Sequence, residues 1–256
     1  MTTAFNRSTT MILTAVPAEC EQLKQELNNN EQLQCGHLQL TGGYINEQHY
    51  LIGHCGLGKS SAAAAVATIV NTMTISRLIM IGCAGAYPES GLKIGDIAVA
   101  TEEILTDEGV QTCSTFLDLH QLNFALVNHG EEKYYHRFPC DKRWLDQYQH
   151  LFNQYAMSHK LQCKLGPFAT LSTCSGTSTY GKQIYQRSKA LVENMEGAAA
   201  AQICAQYHIP FTEIRAISNM VENRNMANWD LAGAMQRAQH CLLHLLQHEE
   251  TTPCKH

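Results

Sequence analysis

The run Leu78-Ile79-Met80-Ile81, closed by Gly82, restricts the fold of this chain more than any other segment. Consecutive large apolar residues ending at a glycine read as a strand buried on both faces, which requires helices on both sides of a sheet. The flanking sequence alternates accordingly. Met11–Val16 reads as a first strand, Ala18–Leu27 carries apolar residues at helical spacing, and Leu38–Leu40 with Tyr50–Gly53 reads as a hairpin. Ser60–Met73 is an alanine-rich helix; Asp96–Thr101 and Phe168–Ser172 fit strands, and Lys142–His159 and Glu196–Tyr207 fit helices. Phe211–Ile217 makes a late strand before a last helix at Leu231–His248. The predicted class is α/β: a single three-layer domain with a central mixed sheet flanked by helices. No linker is visible, so the expected layout is a flexible segment at 1–10, one domain at 11–248 and a flexible tail at 249–256. Leu117–Pro139 is weakly patterned and polar, a long surface loop or a lid, with the surface loop the plainer reading. In such sheets ligands lie beyond the carboxyl ends of the strands, so function is expected in the loops there.

Charge narrows the partner. The 18 basic and 23 acidic residues leave a net charge of −5 with no basic stripe, which argues against a nucleic-acid backbone and for a small molecule. The eleven cysteines are scattered and odd in number, no Cys-x-x-Cys pair occurs, and no histidine spacing completes a zinc site. They read as reduced, core-filling thiols of a cytoplasmic protein, and neither a metal nor a cofactor is expected. Met1–Thr10 is polar, and the apolar stretch from Met11 soon meets Pro17 and Glu19, so neither a signal peptide nor a membrane span is predicted.

One motif points elsewhere. Gly53-His54-Cys55-Gly56-Leu57-Gly58-Lys59-Ser60 satisfies the phosphate-cradling pattern G-x-x-x-x-G-K-[ST] between a strand and a helix. Nucleotide hydrolysis also needs an acid to hold magnesium at the end of a buried strand, yet the best such strand ends in Gly82. The expected role of the segment is therefore a tight turn permitted by Gly56 and Gly58, with Lys59 solvated.

Three further segments, in order, carry a resemblance. They are Gly82-Cys83-Ala84-Gly85 with Gly95-Asp96-Ile97, then Glu193-Asn194-Met195-Glu196-Gly197-Ala198-Ala199, then Arg215-Ala216-Ile217-Ser218-Asn219. Together they resemble the purine nucleoside phosphorylase and methylthioadenosine/adenosylhomocysteine nucleosidase superfamily over roughly residues 11–248. That family has a GxAG turn followed by VGD, an EMEA-type helix start and a strand ending in Ser-Asp. Its members also carry a G-x-G-K stretch without hydrolysing ATP. The Glu-Asn-Met-Glu-Gly-Ala-Ala segment and the run Ser218–Asn225 followed by Trp229 look most like the futalosine hydrolase branch, which serves menaquinone biosynthesis.

Cleaving a ribosyl C1′–N9 bond passes through an oxocarbenium-like sugar and an electron-rich purine, so it needs an activated water, anchors for the ribose hydroxyls and a partner for N7. The resemblance implies that Glu19 positions the water. It implies that Glu196 accepts the 2′- and 3′-hydroxyls while Met195 packs on the sugar and Cys83 and Gly85 line it, without chemistry of their own. Ser218 and Asn219 fall where the family places its N7 partner, with Asn in place of the usual Asp. On the residues alone, Glu19 and Glu196 are also readable as helix-start acids, Met195 as core filling, and Ser218 and Asn219 as turn residues.

Phosphorylases of the superfamily carry an arginine after the first strand, where this chain reads Ala15-Val16-Pro17-Ala18-Glu19. A carboxylate there repels phosphate, so hydrolysis is expected. An amide at 219 can accept from N7–H and donate to a 6-oxo group, which predicts a 6-oxopurine nucleoside such as futalosine. Arg224, Arg137 and His136 are candidates for its distal carboxylate. The alternatives are a phosphorolytic enzyme, a methylthioadenosine-type nucleosidase and a non-catalytic nucleoside-binding homologue, the last motivated by Asn219. Relatives are homo-oligomers, and the same is expected here.

Overall fold

The structure, a computed structural model, describes residues 9–248. The expected tail at 249–256 and positions 1–8 of the expected N-terminal segment lie outside the described residues. Thr9 and Thr10 are already part of the first strand.

The described residues begin with β1 (Thr9–Thr14), a 3-10 turn at Pro17–Glu19 and the short α1 (Glu21–Gln25). A meander follows, β2 (Asn28–Cys35), β3 (Leu38–Ile45) and β4 (Gln48–His54), and then α2 (Lys59–Thr72) leads to β5 (Arg77–Ala86) and β6 (Ile97–Leu105). Five short strands come next: β7 (Gly109–Gln111), β8 (Phe116–Asp118), β9 (Val127–His129), β10 (Glu132–Tyr134) and β11 (Arg137–Pro139). The remainder is α3 (Lys142–His159), β12 (Cys163–Thr170), α4 (Ser178–Ser188), β13 (Val192–Asn194), α5 (Gly197–Gln206), β14 (Phe211–Met220) and α6 (Leu231–Gln247).

The main sheet is mixed. It runs β11-β6-β12-β13-β5-β1-β4-β3-β2, and β14 bridges β5 and β6, so β5, β14, β6, β12 and β13 close on themselves. The apolar run in β5 is the hub: Leu78–Met80 pair with β1, the strand pairs β14 along its length, and Gly85–Ala86 pair β13. Leu78, Met80 and Ile81 are fully buried, as a strand covered on both faces should be. The pairing of β14 with β5 skips from Ile217–Ala84 to Asn219–Gly85, so Ser218 is an extra residue there. A bulge of this kind re-aims the side chains beside it, and it falls at the carboxyl end of β5.

Several expectations are corrected. The helix predicted over Ala18–Leu27 is a 3-10 turn followed by a five-residue helix, because Pro17 starts a turn whose Glu19 side chain bonds back to Ala15 and Val16. The polar strand β2 is an addition to the expected elements; its residues are mostly exposed, and a sheet-edge strand needs no apolar face. Residues 117–139 are not a plain loop, since β9 pairs β10, β8 pairs β7, and β11 adds to the edge of β6.

Candidate active site

The 3-10 turn after β1 folds the side chain of Glu19 inward. Its Oε2 accepts from the backbone N–H groups of Ala15 and Val16 at 3.0 and 3.2 Å, and its Oε1 accepts from Cys83 N at 3.0 Å. The carboxylate thus joins the ends of β1 and β5. Gly82 makes this possible, because a Cβ there would sit 2.5 Å from both Glu19 Oε1 and Arg215 Nη1. Burial pushes the neighbouring Cys83 thiol up to about 12, reinforced by the Glu19 carboxylate, so it stays neutral and suits a lining role.

Glu196 is held from two sides. Its Oε1 accepts from Gly58 N at 2.9 Å, and its Oε2 accepts from Arg215 Nη2 at 3.3 Å. Gly58 is the N-cap of α2 and has φ of +87°, a left-handed geometry that turns its N–H toward the carboxylate. The phosphate-loop lookalike therefore holds an anion after all, but the anion is the side chain of Glu196. Lys59 is not solvated as expected. Its Nζ bonds Asp107 at 2.7 Å and Glu108 at 2.9 Å, and Asp107 in turn accepts from Ser172 N at 2.6 Å. Lys59→Ala is expected to lower stability by about 1–2 kcal/mol through this partly buried bridge, with ATP binding absent in both proteins. Thermal unfolding and calorimetric titration with ATP check it; ATP binding lost in the variant would reinstate a phosphate loop.

Ser218 and Asn219 lie where β14 bulges. Ser218 donates to Asn219 Oδ1 at 2.8 Å, with Ala84 O also within reach at 3.2 Å, and Asn219 Nδ2 donates to Met220 O at 3.1 Å. Gly85 packs beneath, its missing Cβ leaving 3.0 Å to Asn219 Nδ2. Opposite, Glu193 accepts from Ser175 N and Oγ and from Tyr87 Oη, which ties down the loop after β12. Ser178 and Asn223 bond reciprocally, and Arg224 N donates to Gly176 O. The loop after β12 and the loop after β14 are thereby joined.

The structure brings Glu19, Cys83, Gly85, Glu196, Ser218 and Asn219 to one end of the sheet, with Met195 half-buried between the pinned Asn194 and Glu196. Arg224 stands at the rim, stacked over Trp229 at 4.7 Å. Arg137 is paired with Glu102 and His136 lies 3.8 Å from Asp118, both on the β11 edge of the sheet.

A profile of the phosphorylase superfamily matches residues 9–247. The chain belongs to the phosphorylase superfamily. It is 29% identical over 194 residues to the futalosine hydrolase of Thermus thermophilus, covering 76% of this chain and 80% of that one. It is 25% identical over 220 residues to the 5′-methylthioadenosine/S-adenosylhomocysteine nucleosidase of Staphylococcus carnosus, covering 86% and 90%. Among solved structures, the corresponding nucleosidase of S. pneumoniae with a transition-state inhibitor superposes with a TM-score of 0.78 at 25% identity, covering 93% and 98%. The Neisseria meningitidis nucleosidase with methylthio-immucillin-A has a TM-score of 0.80 at 22% identity, covering 94% and 99%, and supports the fold.

The site is rich in carboxyl groups. Beside Glu19 and Glu196 stand Glu103 and Glu213, both fully buried, which the motifs do not single out. A signal is nevertheless present in the sequence: each is an acid followed by apolar residues in a strand, Glu103 by Ile104 and Leu105 and Glu213 by Ile214, where an unpaired buried charge is costly. Arg215 is the cation they share, with Nε donating to Glu213 Oε1 at 2.5 Å and Nη1 to Cys83 O at 3.1 Å. Burial raises the Glu103 carboxyl well above the usual range, and the charge of Glu213 raises it further. Burial also raises Glu213, while Arg215 opposes that shift. Asn194 completes the support: its Oδ1 accepts from Glu196 N and Gly197 N, capping α5, and Thr170 bridges it to Glu103. Three of the five guanidinium N–H groups of Arg215 are committed, to Glu213, to Cys83 O and to Glu196.

Proposed function

We propose that the chain is a nucleosidase that hydrolyses the N-glycosidic bond of a 6-oxopurine nucleoside, converting futalosine to hypoxanthine and dehypoxanthinyl futalosine. The observation that carries hydrolysis is Glu19: it occupies the place after β1 where a phosphate-binding arginine would stand, and a phosphate there would face two carboxylates. Water is the nucleophile that such a site favours. Glu19, fixed by three N–H groups, orients it and takes its proton as the C1′–N9 bond lengthens. Glu196 accepts the ribose 2′- and 3′-hydroxyls, bonds that strengthen as the ring becomes cationic. Met195 packs on the sugar beside Cys83 and Gly85.

The 6-oxo preference rests on Asn219 and on the similarity to the Thermus enzyme. The amide oxygen keeps a second lone pair beyond Ser218, for N7–H, and the amide nitrogen keeps a second hydrogen beyond Met220 O, for a 6-oxo group. Arg224 at the rim, Arg137 and His136 are the proposed contacts for the distal carboxylate. The second reading is a methylthioadenosine-type nucleosidase, favoured by the likeness to the S. pneumoniae structure. Measuring kcat/KM on matched 6-oxo and 6-amino nucleosides separates the two. Wild type is expected to prefer the 6-oxo substrate by about tenfold to a hundredfold, the cost of mismatched buried polar groups, and Asn219→Asp should shift the ratio toward the 6-amino substrate. A 6-amino preference in wild type would favour the second reading, and an unchanged ratio in the variant would remove Asn219 from base selection.

We also propose a homo-oligomeric, cytoplasmic protein. The oligomeric state rests on the resemblance to the superfamily alone. Among the described residues no helix is long and apolar enough to cross a membrane.

A further inference from the structure

Glu103 and Glu213 lie behind Glu196, on the far side of Arg215. Glu103 stands in β6 and Glu213 in β14, and their Oε2 atoms converge on Gly197, each within 2.5 Å of where a Cβ there would sit. Glu103 Oε1 and Glu213 Oε2 meet no other donor, so two ionised groups would be left facing each other in the core. One shared proton removes that conflict, with Glu103 donating and Glu213 accepting. The backbone makes room for the pair. A Cβ on Gly197 would overlap Glu213 Oε2 and sit 2.5 Å from Glu103 Oε2, so the residue after Glu196 has to be glycine where this pair exists.

The consequence runs through Arg215. Its guanidinium lies between Glu213 on one side, at Nε, and Glu196 on the other, at Nη2. With a single negative charge on the carboxyl pair, the charge of Arg215 is already matched before Glu196 is counted. Glu19 and Glu196 then retain an uncompensated negative field toward the sugar, where the oxocarbenium charge develops. Without the pair, Arg215 would spend its charge on Glu196 and weaken that field.

We propose that the Glu103–Glu213 pair, admitted by Gly197, is a positioning device that neutralises Arg215 and so frees Glu196 to stabilise a cationic ribosyl group. This rests on the nucleosidase reading, because it assigns the pair a task in that reaction, and its test is chosen to separate the two.

The probes are two nucleoside analogues of the same base, one with a neutral ribose and one with a cationic pyrrolidine in its place. Wild type should bind the cationic analogue more tightly. Glu213→Gln keeps the shape and an acceptor for Arg215 Nε but removes the charge, and should shrink that preference about tenfold to a hundredfold. On a turned-over substrate it should lower kcat by a similar factor while KM moves by less than about threefold. Glu103→Gln retains a donor to Glu213 and should cost clearly less, below about fivefold. A purely structural pair predicts equal losses for the two analogues and for the two variants, and either result would overturn the proposal.

A second set guards against misfolding of Glu213→Gln. Gly197→Ala should lower the melting temperature, because its Cβ would press on both carboxyls, and should shrink the preference for the cationic analogue as Glu213→Gln does. A wild-type preference in that variant, or a Gly197→Ala protein as stable as wild type, would count against the pair. If the preference behaves as described but no purine nucleoside is cleaved, the inference stands and the hydrolase reading fails. Cleavage with equal losses for both analogues would leave the hydrolase reading in place and overturn the inference.

Discussion

Glu19→Gln is expected to lower kcat by about a hundredfold to ten-thousandfold, the range that general-base catalysis contributes. Glutamine matches glutamate in size, so the pocket survives, but its NH2 group cannot accept. Glu19 accepts three backbone N–H bonds, from Ala15, Val16 and Cys83, with both oxygens engaged. The amide must therefore turn a donor toward at least one donor, tilting the side chain as well as weakening the base. Substrate binding should change much less than turnover, because Glu19 is assigned to the water. Steady-state kinetics with binding measured separately distinguish the cases. Wild-type turnover in the variant would remove Glu19 from the mechanism.

Glu196→Gln is expected to have the next largest effect, a loss of about a hundredfold to a thousandfold in kcat, the scale of removing one charge-stabilising group from a transition state. The amide oxygen can still take the Gly58 N–H, so the turn before α2 stays in place. The charge that strengthens the ribose bonds is gone, and Arg215 Nη2 loses its carboxylate partner. The effect should therefore appear mainly in kcat, with a smaller rise in KM. A change confined to KM would reduce Glu196 to ground-state binding.

The parts of the fold and site that are readable in the sequence are those encoded locally. Leu78–Ile81 marks a doubly covered strand, and α3 begins at Lys142 and ends at His159 as its periodicity indicates, with Asp141 capping its first turn. Glu19, Glu196, Ser218 and Asn219 can be proposed from the sequence because each sits in a short motif at a strand or helix end. What stays hidden depends on long-range pairing. Glu103 and Glu213 are far apart in the chain, brought together because β14 runs antiparallel to β6 and closes the sheet. Lys59 looks like a free cation because its partners, Asp107 and Glu108, lie beyond β6. The Ser218 bulge is likewise invisible locally, since it exists only in the register between β14 and β5. Residues 117–139 read as loop because strands of three residues are too short to show a period.

Hydrolysis requires the site to direct water, and not phosphate, to the anomeric carbon. Its most direct test is to incubate the purified protein with futalosine and with inosine in phosphate-free buffer made with 18O-labelled water, and to follow both hypoxanthine and the label. Hypoxanthine should be released without phosphate, faster from futalosine, and one 18O atom should appear on C1′ of the freed sugar. Release that requires phosphate, with a sugar 1-phosphate as product and no label on C1′, would contradict it.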